Sequence, residues 1–513
     1  CVGVQCFSIA VLEQQMNPEI FAWTIFGIYL LGTAIIALFG SRKTKDFRSY
    51  ALGNRDMHPA LVGVAWATSM ASTLTFVINP GFVYAFGLSA FISLSIPLVL
   101  GMGLGLVLLS RRFQDSGIES NALTLPHWIG LRFKSPAFQR VFSSMALLNV
   151  FYVVLIVVAS AYVMQNALSI SYTLSLVIII GFVFSYTLFG GTYAHTFTNM
   201  FQGVLMVAVT LMIAWSGRHF FANGVDGFIE MICARNAVLM GFTNPESPFY
   251  ATHFEVLICT FVIGFALVAQ PHLLTKTLYL RKREDLHTFI WTGLLTYASF
   301  TIILLGGFYA ILTLKPGLNP DAALSYYIVS VFPPALATFI SVAILAAAMS
   351  TLDGILVAVS AIVAFDLFRN WMAPALLHIT DEDRLNRLAM RASKVIIIGM
   401  GIGAFFLSLN PPKFVGIFAS IGLYGILAAS VGPILGGLFL RNLKVWVAFV
   451  GSSLGLFVHL ALYYGGYSPN TAKTATISTF INVAFIFAAS WFTPKMSQQP
   501  TKFRRTCARS DLR

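Results

Sequence analysis

The sequence predicts an all-α polytopic membrane protein with thirteen transmembrane helices, its N-terminus outside and its C-terminus inside. Three observations carry this. Of 513 residues, 58% are apolar and only 10% are charged, whereas an ordinary soluble domain carries about 25% Asp, Glu, Lys and Arg. Thirteen stretches approach the roughly 20 apolar residues that a spanning helix needs: 20–40, 58–84, 88–110, 141–167, 171–191, 195–216, 254–279, 288–313, 335–366, 392–409, 414–439, 445–464 and 474–492. With the C-terminus inside, 27 Lys and Arg fall to the cytoplasmic side and five to the outside, the bias expected of membrane loops. A missed or split helix would move every later loop to the other face and destroy that asymmetry. The composition excludes a disordered chain, a collagen and a disulfide scaffold. The net charge of +13, which in a soluble protein would suggest nucleic acid, reads here as basic cytoplasmic loops, and no nucleic-acid partner is expected.

Residues 1–19 form an extracytoplasmic segment. Its first fifteen residues, CVGVQCFSIAVLEQQ, belong to no element, and with a natural start at Met16 they are expected to be upstream read-through. N-terminal sequencing that begins at Cys1 would contradict this. Cys1, Cys6 and Cys233 would share the outer side and could pair, but free thiols are the plainer reading. Residues 20–40 make a peripheral helix.

The second span reads VGVAWATSMASTLTFVINPGF, with small and hydroxylic residues from Ala67 to Thr75 and then Asn79, Pro80 and Gly81. Such punctuation frees backbone groups that protein or a water-lined cavity must satisfy. A cytoplasmic loop over 113–140 carries a helix after Leu125 and Pro126, whose Trp128, Ile129, Leu131 and Phe133 suit the membrane interface. A longer outer loop runs over 217–254. The seventh span reads FVIGFALVAQPHLLTKTLYL and breaks at Gln270, Pro271 and His272. Four spans separate the two breaks, so each opens a set of five helices, 58–216 and 254–439. Five is odd, so the sets have opposite topology, the inverted-repeat plan of secondary transporters. Two peripheral helices over 445–492 and a cytoplasmic tail over 493–513 complete the chain. GxxxG spacings at Gly101 and Gly105, Gly399 and Gly403, and Gly432 and Gly436 read as close helix packing.

No Walker-type phosphate loop, zinc-ligand cluster or kinase segment occurs, which leaves an ion gradient or a passive channel. A dehydrated Na⁺ needs about five or six oxygens, which freed carbonyls and hydroxyls supply. Two segments offer them: Thr68 to Ser72, and the ninth span around Ser350 and Thr351 in AILAAAMSTLDGIL. Hydroxyls in a helix also commonly back-bond to a carbonyl one turn earlier.

The segments LAAAMSTLDGIL, YALGNRDM at Tyr50 to Met57, FGGTYAHTFTNMFQG at Phe189 to Gly203 and QPHLLTKTLYL at Gln270 to Leu280 resemble the sodium/solute symporter family over about residues 20–440. That family carries proline, pantothenate, monocarboxylates, sugars and iodide. The resemblance implies a thirteen-helix fold with a 5+5 inverted repeat and a leucine-transporter-like core. It also implies a Na⁺ site made of the carbonyls of Thr68, Ala71 and Ala347 and the hydroxyls of Ser350 and Thr351, with Ser72 near it on the cation path. Many members have an Asp in the sixth span where this chain has Asn199, between Thr198 and Gln202. Asn keeps one acceptor oxygen but not the charge, which argues against a second cation site there. Asp353, one turn beyond Ser350, either compensates on the cation path or pairs with a backbone donor or basic side chain.

For solute, the Gln270, Pro271 and His272 break, with Lys276 after it, looks like that of pantothenate and monocarboxylate carriers, and a half-helix N-terminus favours an anion. Sugar carriers place polar groups a turn or two earlier, where this chain has Ile263, Ala266 and Leu267. Thr73 and Phe76 would shape the opposite wall. His272 as a satisfied helix-end histidine, and Lys276 as a cytoplasmic anchor whose stem snorkels, are the bland readings. The expected protein is a Na⁺-driven importer of a small organic anion by alternating access in a bacterial inner membrane. It has no enzymatic activity and no cofactor beyond Na⁺ as coupling ion. The alternatives are proton coupling, solute sensing, carriage of an amino acid or other small polar solute, or a passive channel.

Overall fold

The computed structural model describes residues 18–411 and 415–492. The described residues form helices joined by loops, without a β-strand among them. Ten helices are long and apolar enough to cross a bilayer, and two further helix pairs pass that test jointly but are sharply bent. The first pair is α1 (Pro59–Met70) and α2 (Leu74–Phe86), bent by 63°. α1 ends at Ala71 in extended backbone. Ser72 restarts the chain, its hydroxyl accepting from Leu74 N at 3.1 Å and its carbonyl from Thr75 N and Phe76 N. The break therefore falls at the hydroxylic residues and not at Pro80. Pro80 lies at the second position of Asn79–Phe86, just after a widened π-helical turn over Leu74–Ile78, and such a turn relieves the lost N–H and the ring clash.

The helical stretch α3 (Tyr172–Ser216) covers 45 residues, about twice what one crossing requires, and is two helices joined at Gly191. It is kinked at Gly191, whose φ of 54° and ψ of −149° suit glycine alone. A Cβ there would meet the Tyr50 carbonyl oxygen at 2.9 Å, and the same carbonyl accepts from Thr192 Oγ1 at 2.7 Å.

The second bent pair is α4 (Phe254–Val268) and α5 (Pro271–Tyr279), at 61°. Here the break is where the sequence places it. Gln270 is extended, as a residue before proline prefers, and Pro271 opens the next helix, where its missing N–H is not needed. α6 (Pro334–Ile362) is almost wholly buried and contacts α1, α3 and the start of α5. It is the hub of the bundle. Its run of alanines from Ala346 to Ala348 lets those helices approach closely.

The cytoplasmic-loop helix expected after Leu125 forms over Leu125–Phe133, but not as an interfacial helix. Trp128 and Ile129 are fully buried. The Trp128 indole donates to Ser116 Oγ at 2.8 Å and its ring lies edge-on to Phe113, while only Leu131 turns outward. Protein, not lipid, takes up that apolar face. Arg132 donates to the carbonyls of Gly437 and Leu440 at 2.7 and 2.6 Å, satisfying the C-terminus of Val415–Phe439. Of the glycine pairs, Gly101 and Gly105 sit against the backbone of α4, and Gly432 and Gly436 against Asn482, Leu443 and Ile486. Gly399 and Gly403 have nothing within 4 Å and do not mark a packed crossing. Cys233 and Cys259 are free thiols. Cys1 and Cys6, the first fifteen residues whose origin the sequence reading questions, Lys413 and the tail lie outside the described residues.

Candidate functional site

The chemistry collects where α1, α3, α5 and α6 meet. Ser350 Oγ lies 2.9 Å from the Thr68 carbonyl oxygen and 2.8 Å from that of Ala347, and Thr351 Oγ1 lies 3.5 Å from both. Four of the five oxygens expected from the sequence are thus gathered from two helices. All four residues are fully buried. The fifth, Ala71, is the residue at which α1 ends, where the extended backbone takes the chain out of the helix. Back-bonding of hydroxyls also occurs: the Ser350 and Thr351 contacts with the Ala347 carbonyl are to a residue three and four positions earlier in the same helix, and Thr68 Oγ1 donates to Val64 and Ala65 carbonyls. Ser72 Oγ shares a 3.2 Å hydrogen bond with Tyr152 OH besides capping the break.

Asn199 reaches this cluster. Its amide nitrogen donates to Ser69 Oγ at 2.9 Å and to the Ser350 carbonyl at 3.1 Å, stitching α3 to α1 and α6. Its Oδ1 is buried without a hydrogen-bond partner.

Asp353 is fully buried and has three donors: His195 Nδ1 at 2.8 Å on Oδ1, and Tyr186 OH at 3.0 Å and Thr198 Oγ1 at 3.3 Å on Oδ2. On the other side of that imidazole, His195 Nε2 is in contact with the Nζ of Lys276. Lys276 is fully buried, so it does not snorkel to the cytoplasmic surface. The first turns of α5, beyond the 61° bend, lie inside the protein.

His195 is the residue that sequence reasoning passed over. It stands in the quoted segment four residues before Asn199 and three before Thr198, spacings that put all three on one helical face. A histidine on the same face as the family's cation-path residue was the available signal.

Of the residues expected to line a solute, Thr73 and Gln270 are buried, and Thr73 Oγ1 and Gln270 Oε1 lack partners, as does the indole nitrogen of Trp66 on α1. Buried polar atoms are almost always paired, and these unpaired ones stand at or beside the two helix breaks. Phe76 is fully buried with its ring edge-on to Phe300, at 5.6 Å between centroids. Ile263 and Ala266 are buried and apolar. Pro271 and His272 open α5 and are buried. No cluster of three or more His, Cys, Asp or Glu suited to a metal occurs among the described residues.

The sodium:solute symporter family model matches residues 50–455. A sodium/pantothenate symporter of Haemophilus influenzae is 26% identical over 447 residues, 85% of this chain and 89% of that protein. An osmoregulated proline transporter of Bacillus subtilis is 23% identical over 464 residues, 89% of this chain and 91% of that protein. Among solved structures, the substrate-bound outward-open state of a Na⁺-coupled sialic acid symporter aligns with a TM-score of 0.75 at 19% identity, covering 92% of this chain and 98% of that one. Mhp1, a nucleobase-cation-symport-1 family transporter, aligns with a TM-score of 0.54 at 14% identity, covering 86% and 94%.

Proposed function

Because the chain belongs to the sodium:solute symporter family, whose members are transporters and not enzymes, we propose that it imports a small organic carboxylate together with Na⁺ by alternating access. Na⁺-coupled solute import and a multi-pass membrane location follow from membership. The carboxylate, the residues and the inner membrane of a bacterium are our reading. Pantothenate and proline, the solutes in the relatives' names, both carry a carboxylate. The buried, apolar Ile263 and Ala266 cannot satisfy the hydroxyls of a sugar.

The observation that carries the reading is the approach of the Ser350 and Thr351 hydroxyls to the Thr68 and Ala347 carbonyls at 2.8 to 3.5 Å. Oxygens that share one hard cation at about 2.3–2.6 Å lie roughly 3 to 3.5 Å from each other. The Ala71 carbonyl at the end of α1 would complete the set. A Na⁺ here holds α1 against α6 and so favours one packing of the broken helix over the other. A ligand shifts such an equilibrium only by its differential affinity for the two packings. Solute is then held between Thr73 and Phe76 on the α1–α2 side and Gln270, Pro271 and His272 on the α4–α5 side.

We count thirteen crossings, taking each bent pair once and α3 twice across Gly191, with the N-terminus outside and the C-terminus inside. Residues 58–216 and 254–439 are the two inverted repeats, and 20–40 and 445–492 are peripheral.

The test is thermal stabilisation of the purified chain by a panel of carboxylates, amino acids, sugars and choline, each in Na⁺ and in K⁺, because a ligand that binds only the native state raises its stability. A carboxylate shift that requires Na⁺ is expected. A shift indifferent to Na⁺ but dependent on pH would overturn the reading in favour of proton coupling.

A further inference from the structure

Three carboxylates are buried among the described residues: Glu255, Asp353 and Asp366. Glu255 accepts from Lys473 Nζ at 3.0 Å, and Asp366 from Thr124 and Gln139 at 2.6 and 2.7 Å. Asp353 alone stands near the cation oxygens, three residues and so about one helical turn beyond Ser350. An unpaired carboxylate in that position would be the strongest cation attractor in the bundle.

It is not unpaired. Both of its oxygens carry donors, and the donor on Oδ1, His195 Nδ1, belongs to a ring whose far nitrogen meets Lys276 Nζ. With Nδ1–H directed at the carboxylate, His195 leaves Nε2 as the acceptor for an N–H of Lys276. With Lys276 protonated, the His195–Lys276 pair carries one positive charge against the negative charge of Asp353. The group is neutral as a whole, is fully enclosed, and joins α3, α5 and α6.

We propose that Lys276, acting through His195, is a built-in counter-cation for Asp353, so that this acid is withdrawn from ion coordination and the chain binds a single Na⁺. This rests on the functional reading above, which places that one ion at Ser350 and Thr351. Lys276 and His195 are positioning residues in this scheme. They touch no transported ion but fix the charge seen from the cation oxygens.

The experiment is direct Na⁺ binding to the purified full-length chain at about pH 8, by calorimetry or radiolabelled Na⁺, with Na⁺ itself as probe and N-methylglucamine as the replacing cation. The wild type is expected to bind one Na⁺. D353N leaves a lone buried positive charge beside the site and lowers Na⁺ affinity about tenfold or more, the size of a unit-charge effect across one or two helix turns at an effective dielectric near 20. K276Q leaves the negative charge and raises Na⁺ affinity, by about threefold or more. The neutral pair K276Q/D353N returns to one Na⁺ with affinity within about threefold of wild type. A merely structural bridge would move both single variants in the same direction and would overturn the proposal. So would two Na⁺ per wild-type chain, or loss of the Na⁺ site in the neutral pair. Should the single variants fail to fold, the wild-type stoichiometry and the neutral pair decide it. Two bound Na⁺ would leave the symporter reading intact, whereas no Na⁺ binding by the wild type would overturn that reading itself.

Discussion

At Ser350 and Thr351 the hydroxyl oxygens lie within 3.5 Å of carbonyls on two helices, and loss of either oxygen leaves a buried cation short of a ligand. S350A and T351A are each expected to weaken Na⁺-dependent stabilisation by about tenfold or more, the size of losing one charge-assisted contact, with folding in K⁺ little changed. A Na⁺ titration of the melting temperature checks this. Outside the membrane, Asp46 caps the helix Phe47–Leu52 in a reciprocal box: Ser49 N donates to its carboxylate at 2.8 Å, and Asp46 N donates to Ser49 Oγ at 3.0 Å. D46A should cost about 1 kcal/mol. The Ser49 backbone N–H holds the Asp46 carboxyl below its ordinary range, so this contribution is present above the unfolded-state carboxylate value. It fades as pH falls through the lower folded one. Wild type and D46A should therefore converge in stability on acidification, read from paired melts at neutral and acidic pH. Sequence alone made Ser350, Thr351 and Thr68 legible because hydroxyls in an otherwise apolar span are conspicuous. It left His195 unread because its partners, Asp353 and Lys276, lie 158 and 81 residues away.

At the scale of elements, the breaks are what a solute carrier requires, and each has a local cause. Gln270 and Pro271 break the seventh span through the restriction that proline imposes on its neighbour, which is visible in any sequence. The earlier break falls at Ala71 to Thr73, short of Pro80, because a π turn absorbs the proline. Nothing in the residue order announces that turn. Gly191 governs the turn inside α3, and G191A should destabilise the fold by about 1 to 3 kcal/mol. The substituted side chain would occupy a backbone conformation open only to glycine, against the Tyr50 carbonyl. Thermal unfolding in detergent measures it. An unchanged melting temperature would mean that α3 runs on without the kink.

For the whole molecule, the expectation is sidedness. In a background whose five cysteines are replaced by serine, R283C should react with a membrane-impermeant thiol reagent only from the cytoplasmic face and R235C only from the outside. Both positions are exposed, and an odd number of crossings between them is what separates them. Labelling of both from one face would remove a span from the count and, with it, the inverted repeat.

The residue order by itself determined the solvent, the helical class, the two broken spans and the hydroxyls that gather at the cation oxygens. These follow from composition, from the length of apolar runs and from local backbone chemistry, all of which act within a few residues of the chain. Only the tertiary structure decided where the charges go. Lys276 reads as a surface anchor until the packing beyond the 61° bend buries it, and Asp353 has no named partner until His195 and Tyr186 meet its two oxygens. The cost of a buried charge depends on what lies across the bundle from it. That distance is a property of packing and not of sequence spacing.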